Sequence, residues 1–350
     1  MKLPPILGVA GILATFTFSP SFQLKAQDVS TSTVPSGFIT LELSAGTGTS
    51  HGLSAVSLPL RSAPDDAVGQ LTGKITGVGA STLSNASAGW EAGAFSDPAA
   101  PYFVRIKSGN AEGRIFQIST STANTETQLT VVTDGADLTT LGISSDSYEI
   151  FPADTIASIF GSPGTTGILG GASSSEADNL QVYVPSVGWR TYYYNTSSNQ
   201  WLRVGPPVAS DNVVLRPDQG IIYLRLAATP LEIVLLGTVP DTDSQTVVKN
   251  SGITFLGSNW PVDTTLATSG IADIPGWVKS ASSSTADTVQ LYLEGIGWRS
   301  YFHNGTNWVR VGPPIVSDDV VIPAGGAVML VKIGTASGTT VLDQSIPYSL

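Results

Sequence analysis

The chain repeats itself. Residues 177–207 read ADNLQVYVPSVGWRTYYYNTSSNQWLRVGPP, and residues 286–314 read ADTVQLYLEGIGWRSYFHNGTNWVRVGPP. With the two extra residues of the earlier loop gapped, 15 of 29 pairs are identical. The similarity extends past this core: Pro152 and Pro261, Asp154 and Asp263, and Trp189 and Trp298 all keep a spacing of 109. A period of this length means duplication of a whole supersecondary unit, so the fold must be built from two related units and whatever precedes them.

The unit reads as β-structure. A strand at 180–184 or 289–293 alternates, and a hairpin follows at 189–204 or 298–311. Asn304-Gly305 is a two-residue turn signal, and Gly-Pro-Pro then stops the pairing because proline donates no ladder bond. Each unit closes with an alternating strand, GIIYLRL at 220–226 or GAVMLVKI at 326–333. Asp154 is expected to cap a short helix over 155–160, and Asp263 its counterpart over 264–269. Upstream, GFITLEL at 37–43 and 53–60 read as strands, and 69–83 reads as a hairpin bent at Gly77 and Gly79. Runs at 102–107, 114–119, 128–132 and 147–151 form a meander. Val, Thr and Gly are abundant and the charged residues of long helices are few, which favours short strands over long helices. The expected class is all-β: a small barrel-like or sandwich-like N-terminal domain, then two duplicated units rich in hairpins. The expected boundaries are a signal peptide at 1–26, a leader and first hairpin at 27–63, the β-domain at 64–151, and repeat units at 152–241 and 242–350. GFITLEL also resembles the two closing strands, which predicts that the N- and C-terminal copies lie side by side.

The address is read from the first residues. Lys2, an apolar run at 6–18 and a small residue at Ala26 form a secretory signal pattern with cleavage before Gln27. No later run is long enough for a membrane helix. The terminal alternation of Ile346, Tyr348 and Leu350 is too little for an outer-membrane barrel of ten-residue lipid-facing segments. Cleavage removes two lysines and no acid, so the net charge moves from −11 to −13. Such a chain, without basic clusters, repels phosphate backbones and is not expected to bind nucleic acid. It has no cysteine, which excludes disulfides, thiol nucleophiles and cysteine-bound zinc, and fits a bacterial exported protein.

Candidate chemistry centres on the duplicated hairpin. Trp189, Arg190, Tyr192 and Trp201, with Trp298, Arg299, Tyr301 and Trp308, could form an aromatic platform that stacks on a sugar ring, the arginines supplying hydrogen bonds. The competing reading makes the aromatics core, with the arginine stems packed across them, and it is favoured because two-faced strands bury one aromatic face. His303 occupies the slot of Tyr194, so it reads as structural. His51 sits in a Gly/Ser/Thr loop, where a dispersed Ser-His-acid triad is conceivable; H-E-x-x-H, G-x-S-x-G and P-loop patterns are absent from the sequence. The repeated acids Asp178/Asp287, Asp211/Asp318 and Asp154/Asp263 read as turn formers rather than as a glycosidase pair. Asp241 with Asp243, and Asp65 with Asp66, fall short of a calcium loop. Asn85, Asn195 and Asn304 open N-x-S/T triplets, which a bacterial protein leaves unused. Neither a cofactor nor a metal is expected.

Several pieces together resemble an uncharacterised family of exported proteins from verrucomicrobial bacteria. They are VPSGFITLEL followed by SLPLR, IKSGNAEGRIFQI, PADTIASIFG, and YYYN…WLRVG with DNVVLRPDQG after it. The resemblance implies export and a β-rich fold, and a single hairpin unit where this chain has two. It supplies neither activity nor site residues. The functional expectation is therefore a non-enzymatic envelope or extracellular protein with a structural or adhesive role, its partners glycans or envelope and extracellular proteins. A carbohydrate-binding protein using the hairpins is the alternative, and a secreted hydrolase with a dispersed site the second.

Overall fold

A computed structural model describes residues 35–62, 71–133, 135–184 and 187–350; the leader at 1–26 and the start of the β-domain at 64–70 lie outside the described residues. The regular structure of the described chain is nearly all β. β1 (Ser36–Leu43) and β2 (Gly52–Val56) come first. The middle domain supplies β3 (Thr72–Lys74), β4 (Gly77–Val78), β5 (Thr82–Ser84), β6 (Tyr102–Ile106), β7 (Ile115–Ile118), β8 (Gln128–Val132) and β9 (Ser147–Pro152). Two short helices follow, α1 (Ile156–Phe160) and α2 (Pro163–Thr166). Then come β10 (Asn179–Val184), β11 (Gly188–Asn195), β12 (Gln200–Arg203), β13 (Ile221–Arg225) and β14 (Leu231–Thr238). The second unit holds β15 (Ser244–Lys249), β16 (Gly252–Gly257), β17 (Thr264–Thr265), β18 (Thr288–Leu293), β19 (Gly297–His303), β20 (Trp308–Arg310), β21 (Val321–Ile322), β22 (Ala327–Lys332) and β23 (Thr339–Gln344).

The middle domain is one seven-stranded sheet, β3-β9-β6-β7-β8-β5-β4. Its two end strands are consecutive in the chain, with only Ile75 and Thr76 between them, so the sheet curls until its edges meet. Inside lie Trp90, Phe95, Val104, Ile118 and Ile150, with Phe95 edge-on to Trp90 and to Tyr102. The hairpin expected over 69–83 is replaced by this crossing: β3 pairs with β9, Gly77 lies inside β4, and the turn runs from Gly79 to Thr82. Buried Ile75 forces the change, because folding back would leave it outside the barrel. β6 is buried along its whole length. Its outward Phe103 joins Ile115, Phe151, Ala153 and Val214 in a second cluster, and outward Arg105 donates from Nη2 to the carbonyls of Thr242 and Asp243 at 2.8 and 2.7 Å. The barrel is thus bound to the segment that joins the two repeats.

The repeats share one architecture. The first is a sheet β12-β11-β10-β13-β2 with a ribbon β1-β14; the second is β20-β19-β18-β22-β16 with a ribbon β15-β23. β1 and β2, expected as one hairpin within 27–63, pair not with each other but with β14 and β13, so they complete the first unit, and the middle domain is inserted within that unit. Leu41, Leu43, Val56, Leu58 and Leu60 fill a core with Ile156, Phe160, Leu180, Tyr192, Trp201 and Tyr223. Each such leucine contributes about 1.5–3 kcal/mol on burial, more than the termini would gain by pairing with one another at the surface. The expected side-by-side pairing of the two ends is accordingly reduced to one bridge, Val56 with Gly326.

The helix caps also differ from expectation. Thr155, not Asp154, caps α1 in a reciprocal box with Ser158, and Asp154 accepts from Ser62 Oγ at 2.6 Å. The second repeat has a turn where the helix was expected; Thr265 and Thr268 make the same reciprocal pair, while Asp263 accepts the Ala324 N–H at 2.9 Å.

The two units meet across a reciprocal seam. Gly52 pairs with Arg225, and Gly252 with Lys332, which fixes offsets of 200 and 107 between equivalent strands. Under those offsets the bridge Val56–Gly326 maps onto Leu256–Gln219. The bond from Ser57 N to Gly325 O (2.7 Å) likewise maps onto Gly257 N to Asp218 O (3.2 Å). This is the isologous pattern of a two-fold dimer, realised inside one chain.

Candidate functional site

The hairpin residues go to two places. Trp201 and Trp308 are each 1 % exposed, in the cores of the first and second units. Their indole edges meet Phe160 and Trp277, respectively, and Trp201 Nε1 donates to Gly161 O at 2.8 Å. Tyr192 and Tyr301 are buried beside them. Burial pushes both phenols up, against the pull of Arg190 and Arg203 in one unit and Arg310 and Arg299 in the other. Trp189 and Trp298 lie instead at the seam, edge-on to Phe255 at 5.4 and 6.4 Å. Arg190 is half-buried and Arg299 exposed. The structure thus does not bring the eight residues together as an open platform: the alternation of the strands holds Trp201, Trp308, Tyr192 and Tyr301 inside, while Trp189 and Trp298 are half-buried at the seam.

The repeated acids work inside the frame. Asp178 is buried, which corrects its reading as a turn former. It accepts from Arg225 Nη1 and Tyr223 Oη, both at 2.8 Å, and from the N–H groups of Leu169 and Leu226. Burial, and then Asp178, push the Tyr223 phenol far up. Asp287 takes the same place in the second unit, accepting the N–H groups of Val278 and Ile333, with the Lys332 ammonium 3.8 Å away. Burial lowers the Lys332 pKa and Asp287 opposes it. Asp211 and Asp318 stand at turns and accept the N–H of Trp201 and of Trp308.

The histidines are far apart in role. His51 Nε2 lies 3.1 Å from Ala177 O and 3.0 Å from Asn179 Nδ2. His303 stands edge-on to Trp308 at 86°, as Tyr194 does to Trp201, so the shared slot holds an aromatic edge. Its Nδ1 accepts the Gly305 N–H, and burial, then Lys279, hold its pKa below the usual value.

One concavity is marked by no motif in the sequence. A cleft of about 280 Å³ opens where all three bodies meet. The barrel contributes Gln117 and Val132; the first unit Tyr183, Val184, Arg216, Asp218 and Gln219; and the second Val247, Lys249, Ile253 and Phe255. Its walls are mostly aliphatic and aromatic, with a few polar groups, the usual make-up of a small-molecule site, and its volume is just below the usual size. Arg216 is committed: it grips Asp218 with two bonds of 3.0 Å and lies over the Phe103 ring. Lys249 is differently placed. Its Nζ donates to Tyr183 Oη at 2.8 Å and stands 4.7 Å from the centre of that ring. Gln219 Nε2 donates to the Tyr183 carbonyl, fixing this strand end. No motif marks these residues, because the site exists only once the repeats pack. The one sequence trace is Lys249 at an outward position, beyond inward Thr246 and Val248.

Comparisons with protein-family models, with curated proteins and with solved structures found no match. Among the described residues no helix is long and apolar enough to cross a membrane, and no group of three or more His, Asp or Glu is placed to hold a metal ion.

Proposed function

We propose that the chain is an exported, non-enzymatic protein with a structural or adhesive role in the cell envelope or outside the cell. The observation that carries this reading is the use made of the duplicated residues. Trp201, Trp308, Tyr192, Tyr301, Asp178 and Asp287 all build the two cores, and Trp189 and Trp298 join the repeats. Duplication here produces a two-fold frame joined to a barrel, which suits a load-bearing or presenting part. The signal pattern at 1–26 supports export.

Expression of the full chain in a bacterial host, followed by fractionation and N-terminal sequencing, tests the address. Product outside the cytoplasm that starts at Gln27 is expected; an uncut cytoplasmic chain overturns it. Iodide quenching tests the role of the hairpins. Trp201 and Trp308 should stay unquenched through a glycan panel, whereas a glycan-dependent shift abolished by Trp189→Ala would restore the carbohydrate-binding reading.

A further inference from the structure

We infer that the three-body cleft binds a small amphipathic carboxylate, its anionic head on Lys249 and its apolar body over Val184, Ile253 and Phe255. Three observations converge on this class. First, the lining includes Val132, Val184, Val247, Ile253 and Phe255 and is apolar over most of its area, so most of a ligand's contact there is apolar. Second, Arg216 and Asp218 neutralise each other, while Lys249 has a phenol and no carboxylate partner among the described residues. Among the described residues the cleft therefore holds one ammonium without a carboxylate partner, although the chain as a whole is at −11. Third, that ammonium is held in place. One of its three donors is bound to Tyr183 Oη and its charge faces the ring, which leaves two donors for a carboxylate without reordering the side chain. The volume suits a single ring or a short chain rather than a long lipid. This site is independent of where the chain is finally addressed, so it stands or fails apart from the structural role above.

The test is titration of the purified full chain, by calorimetry, with 4-phenylbutyrate and with its neutral counterpart 4-phenylbutanol. The carboxylate should bind at least about tenfold tighter, a difference of about 1.4 kcal/mol. Lys249→Met keeps the apolar stem and should erase that preference while leaving the alcohol unchanged. Ile253→Trp fills the cleft and should abolish both, with thermal unfolding checking that each variant is folded. Equal binding of acid and alcohol by the native chain would overturn the anionic part. Absence of binding by either compound, or binding untouched by both variants, would overturn the site.

Discussion

The two repeats have the same sheet order and the same seam, yet their ribbons face different surroundings. In the second unit the ribbon's outer face carries Gln245, Val247 and Lys249 opposite Asp343, Val341 and Thr339. The barrel lies against it: Gln245 Nε2 donates to Asn110 O, and Arg114 reaches Gln245 Oε1. In the first unit the equivalent face pairs Phe38 with Leu236 and Thr40 with Val234. Phe38 is 70 % exposed and Leu236 75 %. The covered ribbon is thus the polar one and the bare ribbon the apolar one. The barrel docks through hydrogen bonds to a polar strip, and among the described residues nothing covers Phe38 and Leu236 on the apolar strip. Burial on the inner faces fixes the fold; the outer faces are free to diverge.

The sharpest way to break the likeness is through the buried acids. Asp178→Ala strands the Arg225 guanidinium and two N–H groups, and should cost about 3–5 kcal/mol. Asp287→Ala removes fewer bonds, because Lys332 is only within 3.8 Å, and should cost visibly less in a calorimetric melt. If the two are equal, the longer ion pair is as strong as the hydrogen-bonded one. Trp201→Ala and Trp308→Ala should by contrast cost the same, about 3–5 kcal/mol each, since both indoles are equally buried.

The seam is the next test. A Cβ on Gly220 would come within 2.6 Å of the Phe255 ring and 2.7 Å of Ala327 Cβ. Under the seam offsets, Ala327 takes the place of Gly220 and Ala55 that of Phe255, so a large-small pair on one side faces a small-small pair on the other. Gly220→Val should destabilise by about 1–3 kcal/mol through overpacking, and the double variant with Phe255→Ala should recover part of that loss in the same melt.

Smaller effects follow. Burial raises the Asp154 pKa above the ordinary 3.8, and the Ser62 hydroxyl opposes it. A carboxyl raised in the folded state contributes stability below the unfolded value and loses it as pH rises through the folded value. Asp154→Asn should therefore flatten the stability profile over that window and leave the molecule no less stable at neutral pH. Last, Phe38→Ser with Leu236→Ser should change stability by no more than about 0.5 kcal/mol while reducing binding of a hydrophobic dye. A large loss would show that the bare ribbon supports the core.

The strands of the repeats were legible because alternation and turn chemistry act locally. The hairpins around Trp189 and Trp298 and the closing strands at 220–226 and 326–333 could be placed from period and Gly-Pro-Pro stops alone. What was hidden depends on partners far along the chain. β15 and β16 are the true counterparts of β1 and β2, but SQTVVK shares only inward Thr246 and Val248 with the pattern of GFITLEL, so burial matches where identity does not. The cleft was hidden for the same reason: Tyr183, Lys249 and Phe255 are ordinary strand residues until three bodies converge. Asp178 was misread because a carboxylate next to a strand looks the same in sequence whether it caps a turn or anchors a buried arginine.

The placement of the barrel inside the first unit sets an order of assembly. Leu43 finds its partner only at Leu231, whereas the barrel, contiguous in the chain, can close as soon as β9 has emerged. β1 and β2 must then wait, their apolar faces unsatisfied, through the synthesis of almost the whole unit that they complete. Contacts of such sequence separation form slowly and leave strand edges open to other chains. The barrel thus acts in time as well as in space: it ties up the residues between the two halves, shortening the effective distance that the waiting strands must search.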